Sequence, residues 1–200
     1  MISCPRPIIG FAAFSGTGKT TLLKRLIPRL RKDGLNLALV KHAHHNFDVD
    51  HEGKDSHALR KAGSEQVLLA SRNRYAWIRE LPERHREPSL SEALQQLDMT
   101  HIDLVLVEGF KAEPFPKIEL HRPALGKPLL FRSDRHIIAI ATDTEHVENC
   151  PLPHLDLNDA DAIAHFILQR AMQDPSPDDE GEVKDSCRSK RSFSNASAGR

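Results

Sequence analysis

A lysine and two threonines follow two closely spaced glycines near the start of the chain, in the stretch FSGTGKTTLL at residues 14–23. With Ala13 the spacing is Ala-x-x-x-x-Gly-Lys-Thr, which matches the phosphate-binding loop except that alanine replaces the more usual glycine. Glycine permits backbone conformations that turn successive N–H groups toward a phosphate at the start of a helix. The residues expected to hold phosphates are therefore Ser15, Gly16, Thr17, Gly18, Lys19, Thr20 and Thr21.

The same loop predicts a magnesium site. Lys19 would place a positive charge on the β- and γ-phosphates of a nucleotide, and the Thr20 hydroxyl would bind Mg²⁺. A second metal-binding residue is expected at Glu108. In the stretch LVLVEG this acid follows four apolar residues, which is the pattern of the second nucleotide-binding motif, whose acid lies at the end of a strand. Aspartate is more usual there, and the alternative is an exposed acid that simply ends a strand.

The polar stretch KHAHHNFDVDHEGKD, residues 41–55, is rich in histidine and aspartate. Mg²⁺ prefers oxygen ligands, so we expect this loop to sense the nucleotide or support Mg²⁺, chiefly through Asp50. A transition-metal site and ordinary surface polarity are the alternatives. Lys54 and Asp55 precede a predicted helix, where they would contact phosphate or cap the helix.

Base recognition is less clear, because the N-K-x-D signature of many GTPases is absent from the sequence before residue 173. The nearest substitute is IATD at residues 140–143. A carboxylate at a strand end accepts both guanine donors, which adenine lacks, so Asp143 is the candidate that selects guanine. The alternative role for Asp143 is to begin a turn.

Apolar strands alternate with helices around these motifs. Ile8 to Phe14 reads as a buried strand, and leucines and isoleucines at helical spacing follow the loop until about Gly34, with a bend at Pro28. This alternation predicts an α/β fold with a mostly parallel sheet flanked by helices, the P-loop NTPase fold. Further strands are expected at 35–40, 66–70, 75–78, 102–109, 117–122 and 136–143, and helices at 55–62, 89–97 and after Asn158 or Asp159.

Composition narrows the function classes. Lys+Arg and Asp+Glu number 28 each, so no basic field indicates nucleic-acid binding, and no long apolar span indicates a membrane. The start of the chain lacks a signal-peptide pattern, which favours the cytoplasm. The three cysteines are scattered, without a disulfide or zinc pattern. Residues 1–172 are expected to form one nucleotide-binding domain, and residues 173–200 a disordered polar tail.

Several stretches together resemble the MobB family of molybdopterin-guanine dinucleotide biosynthesis adapters: FSGTGKTTLL, VKHAHHNFDVDHEGKDS, LRKAGSEQVLLAS, LVLVEGFK and DRHIIAIATD. The resemblance spans about residues 8–170 and implies a homodimer that binds GTP with Mg²⁺ and hydrolyses it weakly. It also implies a MobA-type guanylyltransferase as partner, the enzyme that joins GMP to molybdopterin, and leaves open contact with molybdopterin itself. The chain also resembles the MinD class more distantly. Many members of that class have an additional lysine early in the phosphate loop, and this chain has Phe14 at that position.

Two functions follow from these observations. One is a GTP-binding adapter for molybdenum cofactor biosynthesis with slow hydrolysis, and the other is a P-loop kinase or ATP-dependent synthetase acting on a small acceptor. The second needs a base positioned against the γ-phosphate. The adapter is favoured, because no residue declares itself as such a base and no arginine is obviously a finger. Arg60, Arg72 and Arg74 are candidates for that role.

Overall fold

Strands and helices alternate along the computed structural model, which describes residues 2–43, 47–81 and 86–173. The strands are β1 (Ile8–Ala12), β2 (Leu37–Lys41), β3 (Gln66–Ser71), β4 (Arg74–Arg79), β5 (Leu104–Glu108), β6 (Lys117–His121), β7 (Ile137–Thr142) and β8 (His154–Asp156). The helices are α1 (Lys19–Lys32), α2 (Asp55–Lys61), α3 (Leu90–Leu94) and α4 (Ala160–Gln173), with a short 3-10 helix at Pro123–Leu125.

Six of the strands form one sheet in the order β2-β5-β1-β6-β7-β8, and every neighbouring pair is parallel. The strand that precedes the glycine loop, β1, therefore lies in the middle of the sheet. Ligands of such sheets bind beyond the carboxyl ends of the strands, on either side of a central strand. The sheet order thus places the end of β5 on one side of the loop and the ends of β6 and β7 on the other.

The first face of the sheet is covered by α1 and α4. Leu22, Leu26 and Leu30 recur at helical spacing and are buried against the sheet, as are Ile163 and Ile167 of α4. Asp159 caps α4, because its carboxylate accepts hydrogen bonds from the backbone N–H groups of Asp161 and Ala162 at 2.9 Å each.

The second face is partly polar. α3 buries Leu90 and Leu94 against β5, with Phe110 and Phe115 beside them. Alternation along β6 directs Lys117, Glu119 and His121 to this face, and all three are buried. The segment between β6 and β7 covers them: the backbone N–H groups of Leu130 and Phe131 donate to Glu119, and Asp134 pairs with Lys117 at 2.8 Å.

The remaining two strands form an antiparallel hairpin, β3 and β4, that is a separate sheet. Several large apolar side chains of this hairpin are exposed, among them Leu68 (62%) and Tyr75 (76%). α2 precedes the hairpin and ends before Gly63, whose φ of +113° is readily adopted by glycine.

These elements confirm the predicted α/β fold with a mostly parallel sheet. The hairpin's independence and the short strand β8 were not predicted, and α3 is shorter than the expected 89–97. The proposed domain boundary at 172 falls one residue before the end of α4, and the polar tail beyond residue 173 lies outside the described residues. Within the described part of the chain, no helix is both long and apolar enough to span a membrane.

Candidate functional site

The glycine loop connects β1 directly to α1, and its backbone adopts conformations at Gly16 and Gly18 that favour glycine. Gly16 has a φ of +83° and Gly18 a φ of +102°, both in the left-handed region that other residues rarely adopt. Gly18 is the N-cap of α1. Thr17 is buried, and its hydroxyl donates to the carbonyl of Phe14 at 2.9 Å, which fixes the bend of the loop. Ser15, Gly16, Thr20 and Thr21 remain exposed at the mouth of the loop.

Lys19 extends back across this loop. Its Nζ donates to the carbonyls of Ala13 and Phe14, at 3.2 and 3.4 Å. Burial lowers the pKa of Lys19, the Glu108 carboxylate opposes that shift, and the charges of Lys111 and Lys41 add to it. An anion bound at the loop would restore favourable charge around this ammonium.

Glu108 ends β5 beside the loop, with Lys41 at the end of the neighbouring strand. The Lys41 ammonium lies 3.4 Å from the Glu108 carboxylate, and the Glu108 side chain is only 13% exposed. Ser15, Lys19 and Glu108 line one common cavity, so three predicted site residues are brought together. The oxygen of Glu108 is of the type that Mg²⁺ binds.

Backbone geometry after Glu108 is tightly constrained. Gly109 has a φ of +100°, and a Cβ there would lie 2.5 Å from the Cβ of His42. Phe110 adopts a φ of +49°, which is uncommon for a bulky residue, and its ring stacks on His42 with centroids 4.5 Å apart. Such conformations concentrate at functional sites.

A cavity of about 890 Å³ opens between the loop, the ends of β2 and β5, and the start of α3. A volume of this size suits a nucleotide or another small molecule. Its charged lining residues include Lys19, Lys41, Glu108 and Lys111. The aromatic side chains of Phe11, His42, Phe47 and Phe110 line it too, together with residues 87–89.

On the other side of the loop, Arg122 connects Asp143 to the phosphate-binding segment. Arg122 donates from Nε to the carbonyl of Thr17 at 3.0 Å and from a terminal nitrogen to the Asp143 carboxylate at 2.6 Å. Asp143 follows β7, so it lies at the carboxyl edge of the sheet, where sequence reasoning expected a base-selecting residue.

Asp50 lies in a different cluster. Its carboxylate accepts from the Ser56 hydroxyl at 2.9 Å and lies 3.8 Å from the guanidinium of Arg60. Arg60 also pairs with Asp48 and Glu80, at 2.6 Å each. The hydrogen bond from Arg60 lowers the pKa of Asp48. Asp50 is not among the described residues that line the cavity at the loop. Its predicted contact with nucleotide stays a prediction.

The histidine-rich segment contributes less than its composition suggests. Among the described residues, no group of three or more histidine, cysteine, aspartate or glutamate side chains could hold a metal ion. His44 and His45 lie outside the described residues. His42 is explained by its stacking on Phe110 and its 3.3 Å contact with Glu87.

Sequence reasoning missed Arg122, Lys41 and Lys111. Arg122 is 105 residues from Thr17, and its position at the end of a strand was the only available signal. Lys111 lies in the turn after β5, with its ammonium 5.6 Å from the centre of the Phe14 ring. Lys111 therefore lies near Phe14, the position at which many members of the MinD class have their additional lysine.

A glycine loop joins the central strand of a parallel sheet to a helix, with a lysine and an acidic strand end beside it. This arrangement defines an α/β protein of the P-loop NTPase-like fold. The family model described as "MobB: Molybdopterin guanine dinucleotide synthesis protein B" matches residues 8–143. The chain belongs to this family, whose role lies in molybdopterin guanine dinucleotide biosynthesis.

Known relatives agree with this assignment. The molybdopterin-guanine dinucleotide biosynthesis adapter protein of Escherichia coli is 46% identical over 164 residues, covering 82% of this chain and 92% of the relative. The adapter protein of the same name from Haemophilus influenzae is 47% identical and covers 80% of this chain and 87% of the relative. A crystal structure of molybdopterin-guanine biosynthesis protein B superposes with a TM-score of 0.63 at 28% identity, covering 82% of this chain and 99% of that one.

Proposed function

We propose that this protein is a GTP-binding adapter that uses Mg²⁺, hydrolyses GTP weakly and works beside a MobA-type guanylyltransferase. The observation that carries the proposal is the glycine loop, whose two left-handed glycines precede a helix N-terminus while Lys19 crosses the loop toward Glu108. Both the backbone N–H groups and the helix dipole favour an anion at this position.

Magnesium binding would use Thr20 and Glu108. Glu108 is paired with Lys41 at 3.4 Å, so a divalent cation would replace an ammonium that already neutralises this carboxylate. The cation brings one positive charge more than the ammonium, which the triphosphate would balance. The exchange also needs Lys41, whose side chain is 58% exposed, to turn away from Glu108.

Preference for GTP is assigned to Asp143. A carboxylate has about four acceptor sites, so the hydrogen bond from Arg122 leaves room for two guanine donors. Arg122 would then link the base-reading residue to the phosphate loop through Thr17.

The adapter is proposed to act in the cytoplasm as a homodimer. The exposed hairpin side chains Leu68, Tyr75 and Trp77 support association with a second copy, since surfaces of this kind mark protein interfaces. Sedimentation of the full chain at micromolar concentration tests this, and a monomer would contradict the homodimer while leaving GTP binding unaffected.

Thermal unfolding with nucleotide tests the central claim. GTP with Mg²⁺ should raise the melting temperature of the wild-type protein more than ATP does, because a ligand that binds only the native state stabilises it. Lys19→Ala should remove most of this protection, since a charge-assisted contact of about 1.5–3 kcal/mol is lost. Lys24→Ala, an exposed lysine of the same helix, is the matched control. Equal protection in Lys19→Ala and wild type would refute the phosphate site.

A further inference from the structure

The large cavity lies on only one side of the phosphate loop. Its lining comes from the loop, from the ends of β2 and β5, and from the segments at 87–89 and 110–113; of the described residues that line it, none belongs to β6 or β7. Arg122 and Asp143 lie on the opposite side of the loop. They follow β6 and β7, which lie on one side of β1 in the sheet, whereas β5 and β2 lie on the other. A nucleotide whose base lies beside Asp143 would therefore leave most of the 890 Å³ unfilled.

The loop-facing end of the cavity is positively charged. It carries three ammonium groups, from Lys19, Lys41 and Lys111, and one carboxylate, from Glu108. Glu87 and Glu113 also line the cavity and balance its total charge, but both are held by other groups: Glu113 accepts from the backbone N–H of Leu90 at 2.8 Å, and Glu87 contacts His42. The cavity therefore favours an anionic group near the loop, beyond what the loop itself binds.

Aromatic side chains also line the cavity. Phe110 and His42 form a stacked pair in its wall, held by the close approach of Gly109 to His42. Phe47 lines the same cavity and is 72% exposed, so its ring is accessible to a ligand. Aromatic walls of this kind suit a planar ring, through offset or edge-to-face stacking.

We propose that this cavity is a second ligand site, for a planar heterocycle that carries a phosphate monoester, with Lys111 and Lys41 on the phosphate and Phe47 and Phe110 against the ring. A phosphorylated pterin has this chemistry. Its choice as the occupant rests on the proposed function, whereas the lysines and aromatic rings in the lining do not depend on it. The adapter would then hold GTP and the pterin on opposite sides of one glycine loop.

A fluorescence titration of the full chain with pterin-6-ylmethyl phosphate tests the proposal, because pterin emission changes on stacking. The titration is made with and without saturating GTP and Mg²⁺. Binding of the probe with a similar Kd in both conditions is expected. Competition between the probe and GTP would overturn the proposal, since the cavity would then be the nucleotide's own site.

Single substitutions test which lysine binds the phosphate of the probe. Lys111→Ala should raise the Kd for the probe about tenfold or more, Lys111→Arg should retain most of the affinity, and Lys61→Ala on α2 is the control for removal of an exposed lysine. Equal Kd values for Lys111→Ala and Lys61→Ala, in protein whose circular dichroism melting is unchanged, would refute the phosphate assignment. Phe47→Ala should separately reduce the change in pterin emission.

The two proposals fail in different ways. Protein that binds GTP but not the probe refutes the second site and leaves the adapter function standing. Protein that binds the probe through Lys111 but not GTP supports the second site and refutes the GTP-binding proposal.

Discussion

The charge of Lys19 and its surroundings determine how the phosphate loop would respond to a ligand. Lys19 is held by two carbonyls of its own loop, and burial together with two neighbouring lysines lowers its pKa. A triphosphate would reverse this shift, because added negative charge favours the ammonium. The backbone of the loop is thus in place before a ligand binds, but the surroundings of the Lys19 ammonium become favourable only when an anion binds.

Glu108 is expected to act through the metal. Glu108→Gln should weaken the Mg²⁺ dependence of GTP binding more than it weakens binding in EDTA, because an amide is a poorer ligand for a hard cation than a carboxylate. Isothermal titration with GTP in both conditions measures this. Glu87→Gln removes a carboxylate from the other end of the same cavity and serves as control. An equal loss in both conditions would make Glu108 structural.

Asp143 is expected to set the ratio of GTP to ATP affinity. Asp143→Asn should narrow this ratio, because an amide cannot accept both guanine donors as a carboxylate does. Arg122 would also lose its charged partner at 2.6 Å. Glu145→Gln, an exposed acid of the same loop, controls for the loss of charge. If Asp143→Asn keeps the wild-type ratio of the two dissociation constants, the base binds elsewhere.

At the scale of elements, β1, β5 and β7 were predictable because apolar runs of four or more residues are typical of buried parallel strands. The glycine loop was predictable because its spacing and its place before a helix agree. Contacts between distant residues were not: Arg122 with Thr17 and Lys111 with Phe14 depend on sheet order, which local sequence does not determine. Likewise, the alternation that identifies β3 and β4 is the same in a separate hairpin and in the main sheet.

The segment between β6 and β7 is held to the sheet by a buried ion pair. Burial alone would raise the pKa of Asp134, but its hydrogen bonds to Lys117 and His136 lower it overall. Asp134→Asn should destabilise the protein at pH 7 by about 2–4 kcal/mol, because the Lys117 ammonium, 1% exposed, loses its counter-charge. Urea unfolding measures this free energy.

The pH dependence of that effect has a defined sign. A carboxyl whose pKa is lower in the native state contributes stability above its unfolded pKa of about 3.9, and the contribution is lost as pH falls through the native pKa. The difference between wild type and Asp134→Asn should therefore shrink below about pH 4. In a Lys117→Met background the substitution should cost much less. An undiminished cost in that background would show that the ion pair is not its source.

At the scale of the whole molecule, the arginines that could act as fingers do not line the cavity beside the loop, as far as the described residues show. Of the described residues lining the cavity, several are lysines but none is an arginine. Arg60 is engaged by Asp48 and Glu80, and Arg122 by Asp143 and Thr17. Arg72 and Arg74 belong to the separate hairpin rather than to the cavity. This distribution fits the proposed adapter, which would hold a nucleotide without hydrolysing it quickly.

Turnover by the chain alone should therefore be slow. With Mg²⁺ and saturating GTP we expect about 10⁻⁴–10⁻² s⁻¹, as for unassisted small GTPases, rather than the roughly 1–100 s⁻¹ of kinases, because an arginine finger contributes about 10³–10⁵ in rate. Phosphate release under multiple-turnover conditions measures this, with Lys19→Ala as the background. Adding a MobA-type enzyme and molybdopterin should raise the yield of guanine dinucleotide only with intact Lys19. Fast transfer of the γ-phosphate to a small acceptor by this chain alone would instead establish a kinase, and the cavity beside the loop would be its acceptor site.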